Sequence, residues 1–161
     1  MELKIGDPAP YFAATAVGGI YGVGQPVKLT DFKASTLVLY FYPKDDTPGC
    51  TKQACELRDS WGHIQSRAEL FGVSVDNAAS HEKFIKKYGL PFPLLSDPDH
   101  QLVNAYGVWV EKSMYGKKYF GTERTTFVIG PDQKISAILR KVKPAEHVTL
   151  LVEALGLEAP A

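Results

Sequence analysis

The sequence has little to tie it to a membrane or to nucleic acid. No apolar run approaches the roughly 20 residues that a helix needs to cross a bilayer. The start, Met-Glu-Leu-Lys-Ile-Gly-Asp-Pro-Ala-Pro, has neither the cationic beginning nor the apolar middle of a secretory leader. A cytoplasmic protein without a membrane partner is expected. Charge of one sign is also missing, because 18 Lys plus Arg balance 18 Asp plus Glu. Such a chain has no broad basic field for nucleic acid. Repeats, linkers and low-complexity tracts are absent, so one domain over residues 1–161 is expected.

Cysteine is scarce, with only Cys50 and Cys55. Two cysteines in a cytoplasmic chain are more often catalytic, redox-active or inert than structural. A permanent bridge between them would close a very small loop and contribute only ~2 kcal/mol on the chain-entropy account. Cys50, Cys55 and His63 offer three zinc ligands where a closed site needs four, so no metal is expected. The Gly-rich stretch 18–26 lacks the spacing of a phosphate-binding loop and reads as hairpin geometry, which leaves no nucleotide cofactor.

What is present centres on residues 36–55. The apolar, β-branched and aromatic run 36–42 reads as a buried strand. It turns through Pro43, Lys44, Asp45 and Asp46, which read as a solvated turn, and enters a helix. Thr47 stands where an N-cap belongs, Pro48 fits the first helical position, and Gly49 keeps the approach open. Cys50 then falls in the first turn, among unpartnered N–H groups and at the positive end of the helix dipole. Both favour an anionic, reactive sulfur.

Ala54, Leu57, Trp61 and Ile64 continue an apolar stripe that includes Cys50. Cys55, five residues on, is rotated ~140° from Cys50 and sits ~8.6 Å away between Cα atoms on ideal helix geometry. A disulfide needs about 4.4–6.8 Å. The two can pair only if the first helical turns unwind.

Elsewhere, short strands are expected near 12–17 and 27–32, a buried strand at 69–75, and a helix at 80–89 capped by Ser80 and ended by Gly89. A short strand in 91–98 and a helical turn at 100–106 follow, then a polar, loop-like stretch at 111–119. A third clear strand at 125–129 turns at 130–133 into an antiparallel partner at 134–142, and a helix at 145–155 closes the chain. This order implies an α/β fold with a central mixed sheet covered by helices on both faces. The right-handed crossover rule puts the cysteine helix at the carboxyl end of strand 36–42.

Pro43-Lys-Asp-Asp-Thr47-Pro-Gly-Cys50 matches the Pro-x-x-x-Thr-x-x-Cys signature of peroxiredoxins. With Thr-Lys-Gln-Ala-Cys55 after it, the stretch resembles the peroxiredoxin Q subfamily, also called bacterioferritin comigratory proteins. Gly121-Thr-Glu-Arg124-Thr-Thr-Phe-Val-Ile resembles the family's Arg-bearing strand entrance, and residues 81–97 are similar too. The resemblance runs from about residue 3 to residue 155. Its main departure is a longer Gly-rich loop at 18–26.

The resemblance implies a thioredoxin-like fold with an N-terminal β extension and a hydroperoxide substrate. It implies Cys50 as the peroxidatic cysteine, Cys55 as the resolving one, and Pro43, Thr47 and Arg124 as active-site residues. It also implies recycling by thioredoxin or a similar dithiol donor, in a monomer without cofactor. From position alone Arg124 would instead read as a surface ion pair with Glu123. Tyr42, Phe92, Trp109 and Phe120 read as core or as an apolar mouth. A redox-sensing interaction protein is the competing functional class. A disulfide reductase fits less well, because it expects Cys-x-x-Cys.

Overall fold

The computed structural model describes residues 2–158. The N-terminal arm contributes β1 (Ala13–Val17) and β2 (Gln25–Lys28), which pair antiparallel around the Gly-rich loop. The chain then enters β3 (Leu37–Phe41), whose five residues Leu-Val-Leu-Tyr-Phe are all buried. Strand β4 (Glu69–Ser74) lies parallel to β3, and β5 (Leu94–Ser96) lies parallel to β4. The hairpin strands β6 (Trp109–Met114) and β7 (Lys117–Thr122) stand apart as a two-stranded sheet. Strands β8 (Thr125–Ile129) and β9 (Ile135–Leu139) complete a seven-stranded mixed sheet of order β2-β1-β5-β4-β3-β8-β9.

Alternation along β3 divides the core. Leu37, Leu39 and Phe41 face one cluster, with Phe12, Phe71, Tyr106 and Phe127. Val38, Tyr40 and Tyr42 face the other, with Cys50, Leu57, Phe84 and Leu151. Each such large apolar side chain contributes about 1.5–3 kcal/mol when buried. Helices α1 (Pro48–Asp59), α2 (Trp61–Ile64) and α3 (Ala78–Tyr88) supply the second cluster. Helix α4 (Gln101–Ala105) supplies the first, and α5 (His147–Ala154) returns to the second. Both faces are therefore covered, as the order of elements implies. Gly72 is required by this packing, since a Cβ there would lie 2.7 Å from Tyr40 and from Leu94. Among the described residues no helix is long and apolar enough to cross a membrane.

Four local expectations are corrected. Residues 111–119 are not a loop but most of the β6–β7 hairpin, which turns at Tyr115 (φ 53°) and Gly116 (φ 77°). Positive φ at both central residues suits a two-residue hairpin turn, yet Tyr-Gly is a weak signal beside Asn-Gly. Helix α3 is capped by Asn77, whose side-chain oxygen accepts from the Ser80 N–H, so it starts before Ser80. Gly89 ends it in the left-handed conformation, as expected. The segment 27–32 is extended only to Lys28 and then winds into a 3-10 turn at Leu29–Phe32. The apolar stripe continues through Ile64, but the backbone helix breaks at Ser60 between α1 and α2.

Candidate active site

The register of the sheet brings the site together. In the antiparallel pair β3–β8, Phe41 lies opposite Thr125. The exit of β3, which leads to Cys50, therefore stands beside the entry of β8, which Arg124 immediately precedes. Cys50 sits buried in the first turn of α1, and Arg124 Nη2 donates toward its Sγ at 3.5 Å. Gly49 permits this approach, since a Cβ there would lie 3.2 Å from Arg124 Nη2. The need is for space, because Gly49 has ordinary helical geometry.

Arg124 is aimed by neutral partners. Its Nη1 donates to Gln53 Oε1 at 2.5 Å, and Gln53 Nε2 donates to His147 Nδ1 at 3.0 Å. Arginine offers only donors, so it fixes which end of the Gln53 amide faces it. His147 Nδ1 is then the acceptor, and Nε2–H donates to Thr126 Oγ1 at 2.8 Å. Burial first, and the Arg124 charge second, push His147 down to about 3, so the ring is neutral. Among the described residues Arg124 has no carboxylate partner, and Glu123 instead accepts from Thr125 Oγ1. The surface ion pair with Glu123 is not formed.

Thr47 occupies the N-cap position with extended backbone, and its carbonyl accepts the Thr51 N–H at 2.8 Å. Its hydroxyl does not cap. It donates instead to the Lys44 carbonyl at 2.8 Å, which leaves the oxygen's lone pairs free to accept a hydrogen bond. Pro43 is half-buried at the exit of β3. Cys55 is half-buried, both thiols are free, and α1 runs unbroken through both.

The turn is not solvated at Asp45. That carboxylate is buried and accepts from Tyr42 Oη, Ser80 Oγ and His81 Nδ1. Asp46 is exposed, with φ 55°, and its carboxylate is held low by hydrogen bonds from Lys87 and Tyr88. Tyr42 and Phe92 are core, Trp109 packs on the His100 ring at 4.4 Å, and Phe120 is exposed. None of the four lines the open cavity of about 480 Å³ beside Arg124, whose wall includes Val110, Lys112 and Val142. Burial, then the Arg124 charge, push the Lys112 ammonium down.

Sequence reasoning missed Gln53, His81 and His147. Each carried one signal: a polar side chain on an inward face. Gln53 is one turn from Cys50 and Leu57, His81 from Phe84, and His147 from Leu151. Buried polar groups on such faces require partners.

A buried sulfur at a helix start, faced by one arm of a forked cation, suits chemistry at the sulfur in which negative charge develops. The AhpC/TSA family profile matches residues 5–138, and the chain belongs to this family of thioredoxin-fold peroxidases. Its relatives include peroxiredoxin Bcp of Bacillus subtilis, 42% identical over 156 residues and covering 96% of each chain. Among solved structures it is similar to a mutant of Xylella fastidiosa PrxQ, with TM-score 0.88, 34% identity and 97% of each chain covered. It is also similar to the Xanthomonas campestris bacterioferritin comigratory protein, whose structures concern alkyl peroxide reduction. That match has TM-score 0.82, 36% identity and 90% of each chain covered.

Proposed function

We propose that the chain is a thiol peroxidase that reduces hydrogen peroxide and organic hydroperoxides at Cys50 and resolves through Cys55. The observation that carries this reading is the Arg124 guanidinium 3.5 Å from a buried Cys50 sulfur at a helix start. The thiolate attacks the near peroxide oxygen, the O–O bond breaks, and the far oxygen leaves as hydroxide or alkoxide. Cys50 becomes a sulfenic acid. Charge develops on the leaving oxygen, so donors already aimed there lower the barrier. Arg124 can serve the sulfur and the peroxide together through its fork. Thr47 Oγ1, whose O–H donates to the Lys44 carbonyl, accepts a hydrogen bond from the peroxide O–H. Pro43 limits water at the sulfur.

Resolution requires α1 to open. From ~8.6 Å the two Cα atoms must come within about 6.8 Å. The Cys55 thiolate then attacks the Cys50 sulfenic sulfur, the S–S bond forms as the S–O bond breaks, and hydroxide leaves, becoming water with the proton Cys55 had released. Thioredoxin or a similar dithiol donor returns both thiols and becomes a disulfide itself. The protein acts as a cytoplasmic monomer, a single domain over 1–161, needing no cofactor. Hydroperoxide consumption with thioredoxin and its reductase tests the reading. Wild type turns over many times and Cys50→Ser does not. A single stoichiometric oxidation, retained as a signal to a bound partner, would favour a redox switch instead.

A further inference from the structure

The loop from residue 43 to residue 46 makes no backbone–backbone hydrogen bond among the described residues. The flanking bonds are Tyr42 N–H to the Val73 carbonyl and Thr51 N–H to the Thr47 carbonyl. Yet this loop sets where Pro43 and Thr47 stand relative to Cys50. Side chains must therefore hold it.

Asp45 is the centre of that hold. Tyr42 Oη donates to its Oδ1 at 2.5 Å, while Ser80 Oγ and His81 Nδ1 donate to its Oδ2 at 2.8 and 2.7 Å. Burial raises Tyr42 well above its ordinary value, so its hydroxyl keeps the proton it donates. The Asp45 N–H donates to Asp76 Oδ2 at 2.8 Å, an oxygen that also accepts from Ser74 Oγ at 2.6 Å. His81 is completely buried, and its Nε2 lies 2.8 Å from the Leu95 carbonyl, so both ring nitrogens face acceptors. The Asp45 carboxylate thus ties the loop to α3, its backbone N–H ties it to Asp76 just past β4, and His81 carries the link on to β5. Asp46 adds carboxylate ties from the loop to Lys87 and Tyr88, and these are exposed. Exposed pairs of that kind contribute little.

We propose that Asp45 and His81 are a positioning pair for the peroxide reaction. They touch neither sulfur nor substrate, and they hold the 43–47 loop in the arrangement that lets Pro43, Thr47 and Arg124 converge on Cys50. This rests on the peroxidase reading of the site. Asp45, Asp76 and His81 also bring three potential ligand atoms within 4.8 Å of one another, but those atoms are committed to the hydrogen bonds above.

The test uses two reagents on one sulfur. In a Cys55→Ser background, the second-order rate of Cys50 oxidation by hydrogen peroxide is compared with its rate of alkylation by iodoacetamide. Oxidation needs the aligned donors; alkylation needs an accessible sulfur. His81→Phe and Asp45→Asn are expected to lower the peroxide-to-alkylation ratio about tenfold or more, at temperatures well below each variant's Tm. Asp46→Ala should leave the ratio within about twofold of the parent. If the first two variants do not fold, Tyr42→Phe, which removes one donor and keeps the ring, should lower the ratio about threefold. Folded Asp45 and His81 variants, or a folded Tyr42→Phe where those fail, with the parent ratio overturn the proposal while peroxide reduction stands. A Cys55→Ser parent that peroxide does not oxidise overturns the peroxidase reading, and this inference with it.

Discussion

Arg124 Nη2 stands 3.5 Å from Cys50 Sγ across 74 positions of sequence. The contact follows from pairing Phe41 with Thr125 in β3 and β8, which sets one strand's exit beside the other's entrance. A glycine at 49 then leaves room for the guanidinium. The site is thus a product of sheet register, and the guanidinium divides its contacts: Nη1 is held by Gln53 and Nη2 faces the sulfur.

Arg124→Lys should therefore not be conservative. A point charge cannot be anchored by Gln53 and aimed at sulfur at once. The second-order rate with hydrogen peroxide is expected to fall by ~2–4 kcal/mol of transition-state stabilisation, roughly 30- to 1000-fold. Stopped-flow kinetics that match wild type would contradict this.

Gln53→Leu removes the link between Arg124 and His147, leaves the buried His147 Nδ1 acceptor without a partner and frees one Arg124 N–H from its anchor. A loss of about 1–3 kcal/mol of stability is expected, together with a slower peroxide step. Denaturant titration measures the first and stopped flow the second. A stable variant that reacts at the wild-type rate would show that the linkage is idle.

His147 gives a pH signature. Its folded pKa, about 3, lies below the ordinary 6.5, so the unfolded chain binds the proton first as pH falls. The stability that comes from keeping this ring neutral is fully present above about pH 6.5 and is lost progressively toward pH 3. Each unit of that window costs up to ~1.4 kcal/mol. His147→Leu should unfold at a midpoint that changes less between pH 7 and pH 4.5 than the wild-type midpoint does. Parallel pH profiles for the two proteins would exclude His147 as a source of acid sensitivity.

Much of this arrangement was legible in the chain. The run 36–42 followed by Thr47-Pro-Gly-Cys50 carries a strand, a stop and a helix start in consecutive residues, and the structure has all three in place. The role proposed for Arg124 comes from resemblance alone at the level of sequence, because nothing local distinguishes it from a surface arginine. Asp45 was misread because carboxylates in turns usually face water, and its donors Ser80 and His81 lie 35 and 36 positions away. The β6–β7 hairpin was missed for the opposite reason. Most of its residues are exposed, so the alternation that buries one face of a strand is faint there.

Cys55→Ser should separate the two halves of the cycle. The variant is expected to reduce one equivalent of peroxide and then stall with thioredoxin, and excess peroxide should carry Cys50 to the sulfinic acid. In wild type, oxidation should speed amide exchange over residues 50–58, where α1 must open. Identical exchange there in reduced and disulfide forms would refute the unwinding step.

The most direct measurement is peptide mapping by mass spectrometry after one equivalent of hydrogen peroxide, on wild type and Cys50→Ser. The account predicts that wild type loses both thiol hydrogens and yields a peptide with Cys50 joined to Cys55, while Cys50→Ser remains unoxidised. Free Cys50 in treated wild type, or equal peroxide consumption by Cys50→Ser, would contradict it.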